Sequence, residues 1–99
     1  MDPPARRALR IIQACLHAGR YRVLAHFVHR MDLRGLFWAD IQAVIDSPQD
    51  GVDDGLDRFG RPKWRIRGRT TDHLDMEILC VLDHDEEGNL TVFVTAYWN

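Results

Sequence analysis

Between Lys63 and Trp98 the chain repeats with a period of two, and that alternation commits it to an antiparallel sheet with one dry face. Lys63-Trp64-Arg65-Ile66-Arg67-Gly68-Arg69 puts four cations on one side and Trp64, Ile66 and Gly68 on the other. Leu74, Met76, Ile78, Cys80 and Leu82 then form an apolar face, with Asp75, Glu77, Leu79 and Val81 opposite. Asp83 to Asn89 is a polar turn, and Leu90 to Trp98 predicts a last strand. A slip of one residue would invert every face, so parity restricts the register. With Trp64 and Ile66 turned to the core, Arg65, Arg67 and Arg69 must share the face of Asp75 and Glu77. An odd-length loop around Thr70-Thr71-Asp72-His73 satisfies this and predicts cross-strand Arg–carboxylate pairs. The same parity places Leu90, Val92, Val94, Ala96 and Trp98 on the core side. Thr91, Phe93, Thr95 and Tyr97 are then expected on the face of Glu77.

The first half has a different period. Ala5, Ala8, Leu9, Ile12 and Leu16 make one stripe of an amphipathic helix over about 5–18, which Gly19 can end in the left-handed conformation. Tyr21-Arg22-Val23-Leu24 is short and β-prone, and suits an edge strand. Phe27, Val28 and Met31 anchor a second helix from Ala25 that stops at Arg34-Gly35. Phe37, Ile41, Val44 and Ile45 mark a third, ended by Ser47-Pro48 because the residue before proline avoids the helical region. Gly51 to Asp57 is a weak strand or loop, with a turn at Phe59-Gly60-Arg61-Pro62. The expected class is α+β: one domain over 1–99, its N-terminal helices packed on one face of a C-terminal antiparallel β-meander.

At 99 residues, with 45% hydrophobic and 28% charged side chains, the chain is ordinary globular material. No apolar run approaches the roughly 20 residues of a membrane span. Met1 to Arg7 lacks the apolar core of a secretory signal, so a cytoplasmic location and no membrane partner are expected. Cys15 and Cys80 sit in apolar stretches and read as buried free thiols. With Ser47 the only serine, nucleophilic serine or cysteine chemistry has little to stand on.

Net charge is −2, but the total hides blocks: seven Arg against three acids in 1–40, five Asp in 41–57, six bases in 58–69 and seven acids in 70–99. Either neighbouring elements neutralise each other across the fold, or a basic surface is kept for an anion.

His26, Arg30 and Arg34 recur every four residues, so on a helix they project from roughly one side, a spacing suited to phosphates. Around them stand Leu24-Ala25-His26, Arg30-Met31, Arg34-Gly35, Asp40-Ile41, Val44-Ile45 and Ser47-Pro48, with Thr95 and Tyr97 near the end. Over about residues 20–98 this resembles the small bacterial family catalogued as domain of unknown function 4258, with residues 1–19 as a leading helix. Ile11, Ile12, Ala18-Gly19-Arg20 and Val23 are similar to the start of motility-quorum-sensing-regulator-type messenger-RNA interferase toxins. The resemblance places the chain near RelE-like and barnase-like toxin folds and implies a toxin–antitoxin endoribonuclease acting without metal. Phe37 stands where those sequences carry Ser or Thr, so the third helix is expected to start without a side-chain cap.

Cleavage through the 2′-hydroxyl needs a base, an acid at the leaving oxygen and cations on the phosphate. Arg67 and Arg65 suit the phosphate, Glu77 or His26 proton transfer, and Tyr97 positioning or acid work. Arg30, Arg34, Lys63, Arg65 and Arg69 suit nucleic-acid binding. Each has a plainer role open to it: a cross-strand ion pair for Arg67 and Glu77, a helix-start histidine for His26, a core-edge tyrosine for Tyr97. His26-x-x-His29 and His73-x-Asp75 offer nitrogen and oxygen donors, but neither spacing is a metal signature, and neither metal nor cofactor is expected. RNA and an acidic, antitoxin-like protein are the expected partners. A non-catalytic module binding either of them is the alternative, and the sequence leaves the oligomeric state open.

Overall fold

A computed structural model describes residues 1–98 of the chain. Helix α1 (Pro3–Ala18) begins where the Asp2 carboxylate accepts the Ala5 N–H at 2.9 Å, and ends at Gly19 with φ 70°. Its start precedes residue 5 because prolines fit the first turn, where no N–H is needed. There follow β1 (Tyr21–Val23), α2 (Ala25–Arg34) and α3 (Trp38–Asp46). Then come β2 (Asp50–Leu56), β3 (Pro62–Arg69), β4 (Asp75–Asp85) and β5 (Gly88–Trp98). The acidic segment after α3 is thus a strand, paired antiparallel with β3 as far as an irregularity between Asp53 and Leu56.

The sheet runs β1-β5-β4-β3-β2, so the antiparallel meander gains one parallel edge strand, with Tyr21 opposite Thr91 and Val23 opposite Phe93. All three helices lie against one face, and Ile12, Phe27, Ile41, Val44, Ile45, Ile66, Met76 and Ile78 are fully buried between the layers. The expected phasing of β3 on β4 holds: Arg65 faces Leu79, Arg67 faces Glu77 and Arg69 faces Asp75, around the odd-length loop 70–74. Leu74 is not the first inward residue; it lies in that loop, 52% exposed, where its carbonyl accepts the Thr70 N–H.

Strand β5 departs from simple parity. Thr95 faces Leu79 but Phe93 faces Cys80, leaving Val94 as an extra residue in a β-bulge. The bulge inverts the first half of β5: Thr91 and Phe93 turn toward the helices, whereas Leu90 and Val92 take the opposite face with Val81. Thr95 and Tyr97, beyond it, keep the face of Leu79 and Glu77. Phe93, expected outside, is instead fully buried. Its ring packs on Tyr21, Phe27 and Trp38 at centroid distances of 5.8, 5.7 and 5.5 Å. Such aromatic pairs add roughly 0.5–1.5 kcal/mol each beyond area burial.

Two contacts set α3 on the sheet. At Gly68 a Cβ would lie 3.1 Å from Val44 Cγ1 and 3.2 Å from the Val44 Cα and carbonyl oxygen, so the α3 backbone rests directly on β3. Asp40, 5% exposed, accepts the Phe37 N–H at 2.9 Å and the Thr71 hydroxyl and N–H at 2.7 and 3.2 Å. Phe37 gives no side-chain cap, as expected, and Asp40 caps the helix from inside while clasping the β3–β4 loop.

Gly68→Ala should therefore destabilise the fold by about 1–3 kcal/mol, because the Val44 backbone against it cannot swing aside; urea unfolding measures it. Asp40 carries a pH dependence. Burial pushes its carboxyl up, but the hydrogen bonds from Phe37 and Thr71 outweigh burial and hold it below the ordinary value. The clasp is then at full strength above the unfolded carboxyl value of about 3.9 and weakens as pH falls through the lower folded value. Asp40→Asn should flatten the acid limb of the stability–pH curve below about pH 4 relative to the parent, as denaturant midpoints would record.

Candidate functional site

On the face opposite the helices, cross-strand register builds rows. One runs Asp50, Arg67, Glu77, Tyr97 across β2, β3, β4 and β5, and the next runs Val52, Arg65, Leu79, Thr95. A third runs Lys63, Val81, Val92 and Arg22, crossing to β1. No helix covers this face, yet Leu79, Val81, Val92 and Thr95 are buried. Their cross-strand neighbours are Arg65, Lys63 and Arg22, whose alkyl stems can lie over an apolar floor while the charged ends reach water.

Glu77 is the centre of this surface. Its side chain is 14% exposed, and Oε1 lies 3.6 Å from Arg65 Nε and 3.8 Å from Arg67 Nε. Arg65 also donates to Asp54 at 2.9 Å, Lys63 lies 3.7 Å from Asp54, and Arg69 lies 3.3 Å from Asp75. Every cation of β3 thus has a carboxylate partner, and the basic strand is half of a charge lattice. Asp54 lies outside the strands that parity pairs, although five acids preceding six bases across one turn is the signal of such a hairpin. A polar pocket of about 270 Å³ opens at the end of the first row, among Gln49, Asp50, Arg67, Arg69 and Asp75.

The structure brings Arg65, Arg67, Glu77 and Tyr97 together on one face, with Lys63 and Arg69 at its two ends. It does not bring His26 there. His26 is exposed in the first turn of α2, the helix that sets Phe27 on Phe93 on the other side of the sheet. Arg30 and Arg34 follow on that helix, which packs against β5. Neither forms an ion pair among the described residues, and the Nε of each is buried without a hydrogen-bond partner. Thr91 and Thr95 of β5 likewise bury an Oγ1 without a partner.

The remaining chemistry-bearing groups have structural work. His73, at φ 62°, donates its N–H to Thr70 within the β3–β4 loop. Arg61 forks between Asp57 at 2.8 Å and Asp83 at 3.0 Å, joining the β2–β3 turn to β4. Burial pushes the Asp57 carboxyl up, but hydrogen bonds from the Arg61 N–H and guanidinium and the Phe59 N–H hold it below the ordinary range, while the His84 N–H and then Arg61 do the same for Asp83. Cys15 and Cys80 are buried free thiols, and burial pushes the Cys80 thiol far up, so it is no nucleophile. Among the described residues, no three His, Cys, Asp or Glu side chains converge as a metal-binding group, and no helix is long and apolar enough to cross a membrane.

No curated protein matches the chain. A family model described as Domain of unknown function (DUF4258) matches residues 23–98, from the end of β1 through β5. With its helix-borne His26, Arg30 and Arg34 and its closing meander all inside that match, this α+β chain belongs to the family.

Proposed function

We propose that this domain is an endoribonuclease that works without metal, of the messenger-RNA interferase kind its sequence resembles. The observation that carries the reading is the row Arg67–Glu77–Tyr97, with Arg65 alongside: a mostly buried carboxylate between two guanidinium groups, next to a phenol on the adjacent strand. In the proposed reaction Glu77 takes the proton of the ribose 2′-hydroxyl as that oxygen bonds to phosphorus. The bond from phosphorus to the 5′ oxygen breaks, the Tyr97 phenol gives that oxygen a proton, and a 2′,3′-cyclic phosphate remains. Arg65 and Arg67, already aimed at this point by their attraction to Glu77, turn to the phosphate as its charge develops. Lys63 and Arg69, at the two ends of the same face, hold the flanking strand. His26 is set aside as the base because it stands on α2, outside the row.

Induced expression in a bacterial host followed by primer-extension mapping of cellular RNA tests this directly. Discrete cuts and growth arrest are expected, and Arg67→Ala, Tyr97→Ala and Glu77→Gln should each slow cleavage by about 10²-fold or more. Purified protein should cleave equally well in excess EDTA. Unchanged cleavage in both the Arg67 and Tyr97 variants would remove the assignment.

The lattice of β3 ion pairs favours a second reading, in which Glu77 only neutralises its neighbours and the domain binds RNA without cutting it. Salt-sensitive RNA binding that depends on Arg30 and Arg34, with no product, would select it.

A further inference from the structure

Helix α1 carries a second apolar stripe that the fold leaves uncovered. Ala5, Ala8, Leu9, Ile12, Cys15 and Leu16 are buried against the sheet and α3, which accounts for the first stripe. Arg7, Ile11, Ala14 and Ala18 follow one another at helical spacing on a different side, and line an open groove of about 500 Å³ between α1 and the β4–β5 hairpin. A lone surface helix ordinarily presents polar residues there. From Arg7 to Ala18 the stripe is about 16 Å long at the helical rise of 1.5 Å per residue.

We propose that this groove docks an amphipathic helix of a partner protein, with carboxylates at the end that meets Arg7 and Arg10. Ala14 and Ala18 leave no bulk over the floor, so a second helix axis can approach to the usual distance of about 8–10 Å. The charge pattern gives the occupant its polarity. Arg7 and Arg10 form no ion pair among the described residues, whereas Arg20 at the other end is held by Asp85 and lies 3.4 Å from Glu87. Carboxylates on the occupant are therefore drawn to the first turns of α1 and repelled by Glu87 near its last. A second copy of this chain does not supply such a helix: α1 is itself basic and α2 carries one acid, Asp32, against two arginines and two histidines. In α3, Asp40 is buried and Asp46 pairs with His17 at 2.7 Å. The groove also lies on the helical side of the sheet, so its occupation leaves the Arg67–Glu77–Tyr97 face open, and the proposal holds whether or not that face is catalytic.

The test uses the whole chain and a synthetic peptide of about 16–18 residues, matched to the groove by helical rise, with a Leu/Ala stripe and three Glu at one end. Fluorescence anisotropy should give saturable binding, and amide shifts should change at Ile11, Ala14, Ala18 and Asn89 while Glu77 and Tyr97 stay still. Arg7→Glu with Arg10→Glu should weaken binding at least about tenfold, and a peptide with Lys in place of Glu should recover it. Ala14→Gln, which fills the floor and leaves the charge unchanged, should weaken it as well; circular dichroism verifies that each variant is folded. The proposal is overturned by no saturation up to about 1 mM peptide, by equal affinity in the charge-reversed variant, or by shifts that map to the sheet face. It is equally overturned by self-association through α1 in sedimentation, or by dodecanoate filling the groove where the peptide does not.

Discussion

Phe93 is the side chain around which the helical layer is assembled. Its ring meets Tyr21 from β1, Phe27 from α2 and Trp38 from α3, and Tyr21 and Trp38 stack on each other at 5.3 Å. Three elements separated from β5 by half the chain thus converge on one buried residue. That residue faces inward only because Val94 is inserted as a bulge. Without the extra residue, Phe93 would stand beside Glu77's neighbours in water, and β1, α2 and the start of α3 would lose their common anchor.

The same insertion divides β5 between two tasks. Before Val94 the strand completes the core beneath the helices; after it, Thr95 and Tyr97 complete the row structure of the open face. The open face is built on a dry floor of Leu79, Val81 and Val92, walled by long cationic side chains and neutralised by Asp54, Asp75 and Glu77. Surface ion pairs of this sort contribute little individually, about 0–1 kcal/mol. Their greater effect is to fix the direction of guanidinium groups that would otherwise sweep through solvent. Among the described residues, the cations without a carboxylate partner lie on α1 and α2, with Arg22 on β1 and Arg58 in the β2–β3 turn, so the strand that looks most basic in the sequence carries none of the unpaired positive charge.

Period and parity made most of the architecture legible. The three helices, a loop around residues 70–73 and the shared face of Arg67 and Glu77 follow from spacing alone, because only one phasing keeps the apolar set inside; Leu74, apolar but in the loop, does not. Tyr97 could be placed on the same face for the same reason. Phe93 could not. Every residue from Leu90 to Tyr97 except the threonines is apolar, so both faces look inward, and Val94 brings no glycine or proline to announce an irregularity. The pairing of β1 was hidden as well, since three residues carry too little pattern to choose a neighbour or a direction. His26 marks a different limit. Its spacing to Arg30 and Arg34 is readable, but which side of a sheet a helix covers depends on the crossover, and no local pattern encodes that. The groove on α1 is not legible in the sequence, because alanine serves equally well in a core stripe and on a solvated face.

The parallel seam between β1 and β5 joins residues about 70 positions apart. Contacts of such long range are slow to form, since most of the intervening chain must be ordered first. As the polypeptide leaves the ribosome, β1 and α2 therefore emerge with apolar surface whose main partner is the last strand. Until that strand arrives the nascent chain is exposed to misassociation, and chaperone capture would be most effective then.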